Sequence, residues 1–439
     1  MPPAPRAVSR SRNNNFADVL NVLCRVRVVI ATKTSALFFA RTFAAMYPAA
    51  RSDIRYHVAG SASAAGTRAC ADSVEQALAA LGQEAGLVLI FPAGDVDPEV
   101  AAREAQEAAG GAHVAGMTGT GAIEAHRLVK TGCSAIAFSS SLSTGVGAVE
   151  AGDPRTAGRD ATAEALAAID DAPHGAVLLF VDSESGDQAE FVAGAYAVAG
   201  GRIPLAGGAA GGAVRARFAD GRALSRGVVA VAIGSSAPIG IGVAHGCVAR
   251  GAPSIVTRSD GPNVIQLDGR PAAAVYFEKL GVDEADIDEA AFEALTMVHP
   301  LAEPELSGAI RPRYVRARAS SGELVCGTTI ERNAAVSVCD QTPETIVQSA
   351  SAAVEDAVSQ LDGPAEAALV FDCAARSAWF RGPLPAALAQ RELDSLAAAF
   401  GRSVPCLAGV YTRGEIGRAR GALGDRNHSV VVAAFSAPD

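Results

Sequence analysis

Two short stretches carry the side chains best suited to chemistry. "ALVFDCAAR" (368 to 376) ends an apolar run in Asp372, Cys373 and Arg376, and "AGVYTRGEIG" (408 to 417) offers Tyr411, Thr412, Arg413, Gly414 and Glu415 in one glycine-rich loop. A guanidinium donates two parallel hydrogen bonds to a carboxylate. Arg376 with a ligand carboxylate and Glu415 with an ammonium would therefore suit a zwitterion such as an amino acid. The alternative is nucleophilic chemistry at Cys373, with Glu415 or a histidine such as His428 brought in by the fold as base. Each has a plainer counterpart: Arg376 paired with Asp372 or Glu415 to fix the loop, and Cys373 as an inert buried thiol.

The elements that must position these groups recur three times. "GLVLIF" (86 to 91), "AVLLFV" (176 to 181) and "AALVFD" (367 to 372) read as buried strands. Each follows an Ala-rich amphipathic helix, in "ADSVEQALAALG" (71 to 82), "ATAEALAAI" (161 to 169) and "TIVQSASAAVEDAVSQL" (345 to 361). Each precedes a second helix and a strand that ends in glycines: "HVAGMTGTG" (113 to 121), "PLAGGAAGG" (204 to 212) and "PCLAGVYTRGEIG" (405 to 417). A last strand closes each copy, in "SAIAFSSS" (134 to 141), "GVVAVAIGSS" (227 to 236) and "SVVVAAFS" (429 to 436). The expected fold is α/β, with repeated helix-strand-helix-strand-strand units forming mixed sheets in two domains. The glycine loops leave the carboxyl ends of strands, where α/β sheets bind ligands. The third loop alone carries several polar side chains.

Between the second and third copies, residues 246 to 281 read as two strands with turns at "SDGPN" and "LDGRP", then a helix opened by Pro271.

Composition excludes several functions. The 439 residues are 49% hydrophobic and 19% charged, enough for large cores. Residues 1 to 52 carry +7, which leaves -17 on the rest of a chain whose total is -10. An acidic body argues against nucleic acid as a partner. Basic residues interrupt every apolar run at the start, so no membrane span is expected there. Residues 1 to 55 read as an extension outside the fold: a start assigned too early, with Met46 the alternative initiator, a disordered tail, or a targeting segment. The eight cysteines are scattered and read as free thiols of a cytoplasmic protein. No metal-ligand spacing joins the seven histidines, no nucleotide-binding loop is present, and no cofactor is expected.

"GIGVAHGCVARGAPSIVTRSDGPNVIQLDGRPAAAVYFEKLG" (240 to 281), "ALVFDCAAR" and "AGVYTRGEIG", in that order, resemble the FIST family, the F-box and intracellular signal transduction proteins. The resemblance implies a FIST N domain over residues 56 to 245 and a FIST C domain over 246 to 439. It further implies a sensory module for a small ligand such as an amino acid. By motif it points to Asp268, Gly269, Cys373, Arg376, Tyr411, Gly414 and Glu415 as ligand-binding residues, and to His428 beside Asn427. No F-box, kinase or cyclase segment accompanies them, so the implied output is through a separate protein partner. A purely structural scaffold is the third alternative.

Overall fold

Each of the three repeats opens its helices with backbone chemistry that the sequence makes explicit. Asp97, Asp153 and Thr342 accept hydrogen bonds from the first-turn amides, and Pro98, Pro154 and Pro343 follow at the first helical position. The computed structural model describes residues 58 to 63 and 66 to 436, apart from 95, 183, 185 to 186, 306 to 307, 378 to 384, 402 to 404 and 419 to 423. The reading of residues 1 to 55 lies outside the described residues.

The first repeat is β1 (Val58–Ser63), α1 (Ala69–Leu81), β2 (Ala85–Ala93), α2 (Pro98–Ala109), β3 (His113–Met117), a hairpin of β4 (Ala122–Glu124) and β5 (Arg127–Val129), and β6 (Gly132–Ser139). The second is β7 (Ser143–Val149), α3 (Pro154–Ala167), β8 (His174–Val181), α4 (Gln188–Ala199), β9 (Leu205–Ala209), a hairpin of β10 (Arg217–Ala219) and β11 (Arg222–Leu224), and β12 (Val228–Ser235). The third begins with β13 (Ile239–His245). An inserted layer follows, comprising β14 (Cys247–Ala249), β15 (Ser254–Asp260), β16 (Asn263–Leu267), β17 (Arg270–Pro271), α5 (Ala272–Leu280), α6 (Glu289–Val298), β18 (Leu301–Pro304), β19 (Ile310–Arg313), β20 (Val315–Arg318), β21 (Leu324–Cys326) and β22 (Ala335–Gln341). The repeat then resumes with α7 (Pro343–Val358), β23 (Ala365–Cys373), α8 (Pro385–Ala399), β24 (Cys406–Thr412), a hairpin of β25 (Glu415–Arg418) and β26 (Asp425–Arg426), and β27 (Ser429–Ser436).

The strands form three six-stranded mixed sheets and a nine-stranded sheet in the insert. Within each repeat the order is first, last, second, third strand, and only the second and third are parallel. The edge hairpins are exchanged: β4 and β5 add to the sheet of the third repeat, β10 and β11 to the first, and β25 and β26 to the second. This exchange was not expected from the sequence, which showed a glycine loop and no hairpin. The segments involved are only two to four residues long, too short for a periodic signal.

The inner faces of the three sheets meet in one apolar core. Phe91, Phe180 and Phe371 occupy equivalent places in β2, β8 and β23, and their ring centroids stand 6.1 to 6.3 Å apart. They mark an approximate threefold axis. The pairs α1 and α2, α3 and α4, and α7 and α8 supply each repeat's outer layer, with separate cores beneath the first two pairs and beneath α7 and α8. Gly116, Gly207 and Gly409 lie beside β2, β8 and β23, where an added Cβ would stand 1.9, 2.1 and 2.3 Å from the carbonyl oxygens of Ile90, Leu179 and Val370. Close strand approach at the axis therefore requires glycine. The axis is closed by a ring of backbone bonds: Thr120 donates to Tyr411, Arg413 to Ala209 and Gly211 to Thr118, at 3.0, 3.0 and 2.9 Å.

Candidate functional site

The threefold repeat places a matched pair of positions at each strand end. They are Ala93 and Ala122 in the first repeat, Asp182 and Arg217 in the second, and Cys373 and Glu415 in the third. The first pair is apolar and the second is a buried acid with a buried guanidinium. The third is the thiol and carboxyl singled out by sequence.

Cys373 is 4% exposed. Its sulfur accepts backbone N–H groups of Ala375 and His428 and is hydrogen-bonded to Glu415. Burial, reinforced by the Glu415 charge, pushes the thiol pKa well up. Glu415 is fully buried, and burial pushes its carboxyl up to about 8 even though the Thr412 hydroxyl (2.7 Å), the Ser429 amide (3.1 Å) and Cys373 favour the carboxylate. A thiol held protonated beside a largely protonated carboxyl is a poor nucleophile.

Arg376 needs correcting as a ligand clamp. Its Nε donates to Asp372 (2.7 Å), Nη1 to Ser349 (2.8 Å), and Nη2 to the Ile346 carbonyl (3.2 Å) and to Glu392. The guanidinium is fully buried, and both carboxylates outweigh the burial that opposes its charge. Its donor groups are committed to the protein, so it ties β23 to α7 and α8. Burial raises the pKa of both acids, Glu392 to about 8, with the Asp372 charge adding to the rise. Asp372 Oδ2 and Glu392 Oε2 find no hydrogen-bond partner among the described residues.

Tyr411 lies beside this cluster, its hydroxyl buried and without a hydrogen-bond partner among the described residues. His428 is also buried, and neither ring nitrogen has a partner among the described residues. Its φ of 52° is unusual for a residue with a Cβ. Burial, with Arg376 and His245 nearby, drives its pKa down to about 3, so the ring is neutral; its centroid lies 5.9 Å from that of Tyr314, with the planes tilted by 48°. Asp268 and Gly269 lie apart from all of these. They close the turn between β16 and β17, where Asp268 accepts the Ile255 amide (2.8 Å) and Gly269 donates to Thr257 (2.9 Å). They line neither lobe of the cleft described next.

Above Cys373 and Glu415 a cleft opens between the third glycine loop and the inserted layer. Its inner lobe, about 90 Å³, is lined by Glu184, Gln188, Tyr314, Arg316, Gly327, Arg413 and Asn427. Its outer lobe, about 470 Å³, shares Tyr314, Arg316 and Arg413 and adds Glu289, Phe292, Glu293 and Arg318. Gly414 packs behind the lining residue Gln188: its φ is 151°, and a Cβ there would stand 2.3 Å from Gln188 Oε1. Gln188 in turn donates to the Glu415 carbonyl at 2.7 Å. The insert is anchored over the cleft through Thr329, which donates to Asp187 (2.8 Å), and Tyr314, whose amide donates to Asn427 (3.1 Å). Arg311 and Arg313 add ion pairs to Asp425, and Arg426 pairs with Glu305 at 2.6 Å.

Among the described residues, Arg413 and Arg316 form no ion pair, although both are exposed in the cleft. Arg215, paired with Glu184, feels the Arg413 charge as repulsion. A larger groove of about 1130 Å³ opens at the opposite ends of the strands, around His174, Arg202, Ile239 and Arg418. The smaller cleft is the better candidate, because it lies at the carboxyl ends of the strands and gathers unpaired charge.

The chain matches the FIST N domain over residues 86 to 270 and the FIST C domain over residues 272 to 418. It belongs to the FIST family. Both FIST matches together run from β2 to the end of β25, so every named lining residue of the cleft except Asn427 lies within them. FIST domains are associated with signal transduction and small-ligand sensing. No curated protein matches this FIST chain. Among solved structures, a cyanuric acid hydrolase from A. caulinodans is similar at 12% identity with a TM-score of 0.34, covering 86% of this chain and 98% of that one. A likeness so distant carries no argument about activity.

Sequence reasoning had flagged Arg413 and Asn427 and missed Tyr314, Arg316, Gln188, Glu289 and Glu293. The run "RPRYVRARAS" (311 to 320), with four arginines around one tyrosine in an acidic body, was the available signal. Among the described residues no group of three or more His, Cys, Asp or Glu is placed to hold a metal ion, and no helix is long and apolar enough to cross a membrane.

Proposed function

We propose that this FIST protein is a cytoplasmic sensor that binds a small polar ligand of amino acid type between the inserted layer and the third glycine loop, and signals through a separate protein partner. The observation that carries this reading is the pair of unpaired guanidinium groups, Arg413 and Arg316, facing one cleft at the strand ends. They take the place first assigned to Arg376 as the carboxylate clamp. Seven described cysteines are free, which fits a reducing compartment.

A thermal-shift screen of amino acids, polyamines and small carboxylates tests the reading, run on the wild type and on the R316Q/R413Q double variant. A ligand at 100 times its Kd adds about 2.7 kcal/mol, a few degrees in a protein of this size. The expected result is a shift confined to one chemical class and lost in the double variant. A shift retained in full by the double variant would move the site elsewhere.

A further inference from the structure

We infer that the ligand is an amino acid whose side chain ends in a cation, an amine or a guanidinium. The inference rests on the cleft being the ligand site. Its two lobes differ in kind. The inner lobe is small and offers the guanidinium groups of Arg413 and Arg316, which suit a carboxylate. Gln188, 6% exposed, lines the same lobe, with its Nε2 donating to the Glu415 carbonyl. The side-chain carbonyl of Gln188, an acceptor beside two arginines, matches an α-ammonium next to an α-carboxylate.

The outer lobe carries Glu289 and Glu293 on one face of α6. Like charges four residues apart repel along a helix, and among the described residues neither forms an ion pair. The remaining cation there, Arg318, is already spent on Glu284 and the Ile287 carbonyl. A cationic side chain reaching outward from the inner lobe would meet both glutamates. Its methylenes would lie along the rings of Tyr314 and Phe292, which also line the lobe.

Calorimetric titration of the full chain with L-lysine, L-leucine, L-glutamate and 1,5-diaminopentane tests this, repeated with Glu293→Gln and Arg413→Gln. Both substitutions are at exposed positions, and an unchanged Tm without ligand shows that each variant is folded. L-Lysine should bind at least tenfold more tightly than the other three. Glu293→Gln should weaken L-lysine about tenfold and leave L-leucine unchanged. If L-leucine or L-glutamate binds as tightly as L-lysine and Arg413→Gln abolishes that binding, the ligand class is overturned while the cleft stands. If no amino acid binds, or binding survives Arg413→Gln undiminished, the class and the cleft fall together.

Discussion

Replacing Glu415 with glutamine probes the buried carboxyl beside Cys373. In the unfolded chain this carboxyl ionises near 4.5, and in the folded protein near 8, because burial dominates the bonds from Thr412, Ser429 and Cys373. Between those values the folded state holds a proton that the unfolded state has released. Stability must therefore fall as pH rises from about 4.5 to about 8 and level off above, by about 1.4 kcal/mol per pH unit and roughly 5 kcal/mol in all. Glutamine is neutral throughout. Its Nε2 can donate to the Thr412 hydroxyl and its Oε1 can accept the Ser429 amide, the partners that Glu415 holds now. The stability difference between Glu415→Gln and wild type should hence move in the variant's favour by roughly 3 kcal/mol between pH 5 and pH 8. Urea unfolding at pH 5, 6, 7 and 8 measures it, and the pH 5 value gives the constant offset from imperfect fit. A difference that does not change with pH would refute the raised carboxyl and the burial argument with it.

Other consequences follow from the same geometry. Arg376→Met leaves Asp372 and Glu392 without their cation and should destabilise the protein by about 3–5 kcal/mol, measured by urea denaturation, with the loss growing toward high pH as these buried acids ionise. Gly414→Ala drives a Cβ into Gln188 at a strained φ and should cost about 1–3 kcal/mol and weaken any ligand of the cleft; an unaltered Tm would show that the loop yields freely. Phe371→Ala opens the centre of the three-ring cluster and should cost about 3–5 kcal/mol. Iodoacetamide at neutral pH should label Cys373 slowly, because burial and Glu415 hold its proton; mass spectrometry showing fast labelling there would revive the nucleophile.

The threefold plan was legible because each repeat writes it in long, strongly patterned segments. The apolar runs ending in Phe91, Phe180 and Phe371 became β2, β8 and β23, and the turn at Asp268 and Gly269 with the helix after Pro271 formed as read. The exchanged hairpins were not legible, since strands of two to four residues have no period and partners more than a hundred residues away leave no local trace. At the site, "FDCAAR" and "YTRGEIG" did converge, but sequence could not say which arginine would be consumed. Arg376 falls under Glu392 and Ser349, which arrive on α8 and α7, whereas Arg413 sits on the loop tip facing solvent. The outer wall was missed because Tyr314 and Arg316 come from the insert, whose position over the loop is set by tertiary ion pairs of Asp425 and Arg426.

Arginine footprinting with phenylglyoxal, read by mass spectrometry with and without the compound that gives the largest thermal shift, tests the central claim most directly. Arg413 and Arg316 should label in the free protein and be protected together by the ligand, while Arg202 in the opposite groove labels equally in both. Protection of Arg202 with Arg413 and Arg316 unchanged would place the ligand at the other end of the sheets and contradict the account.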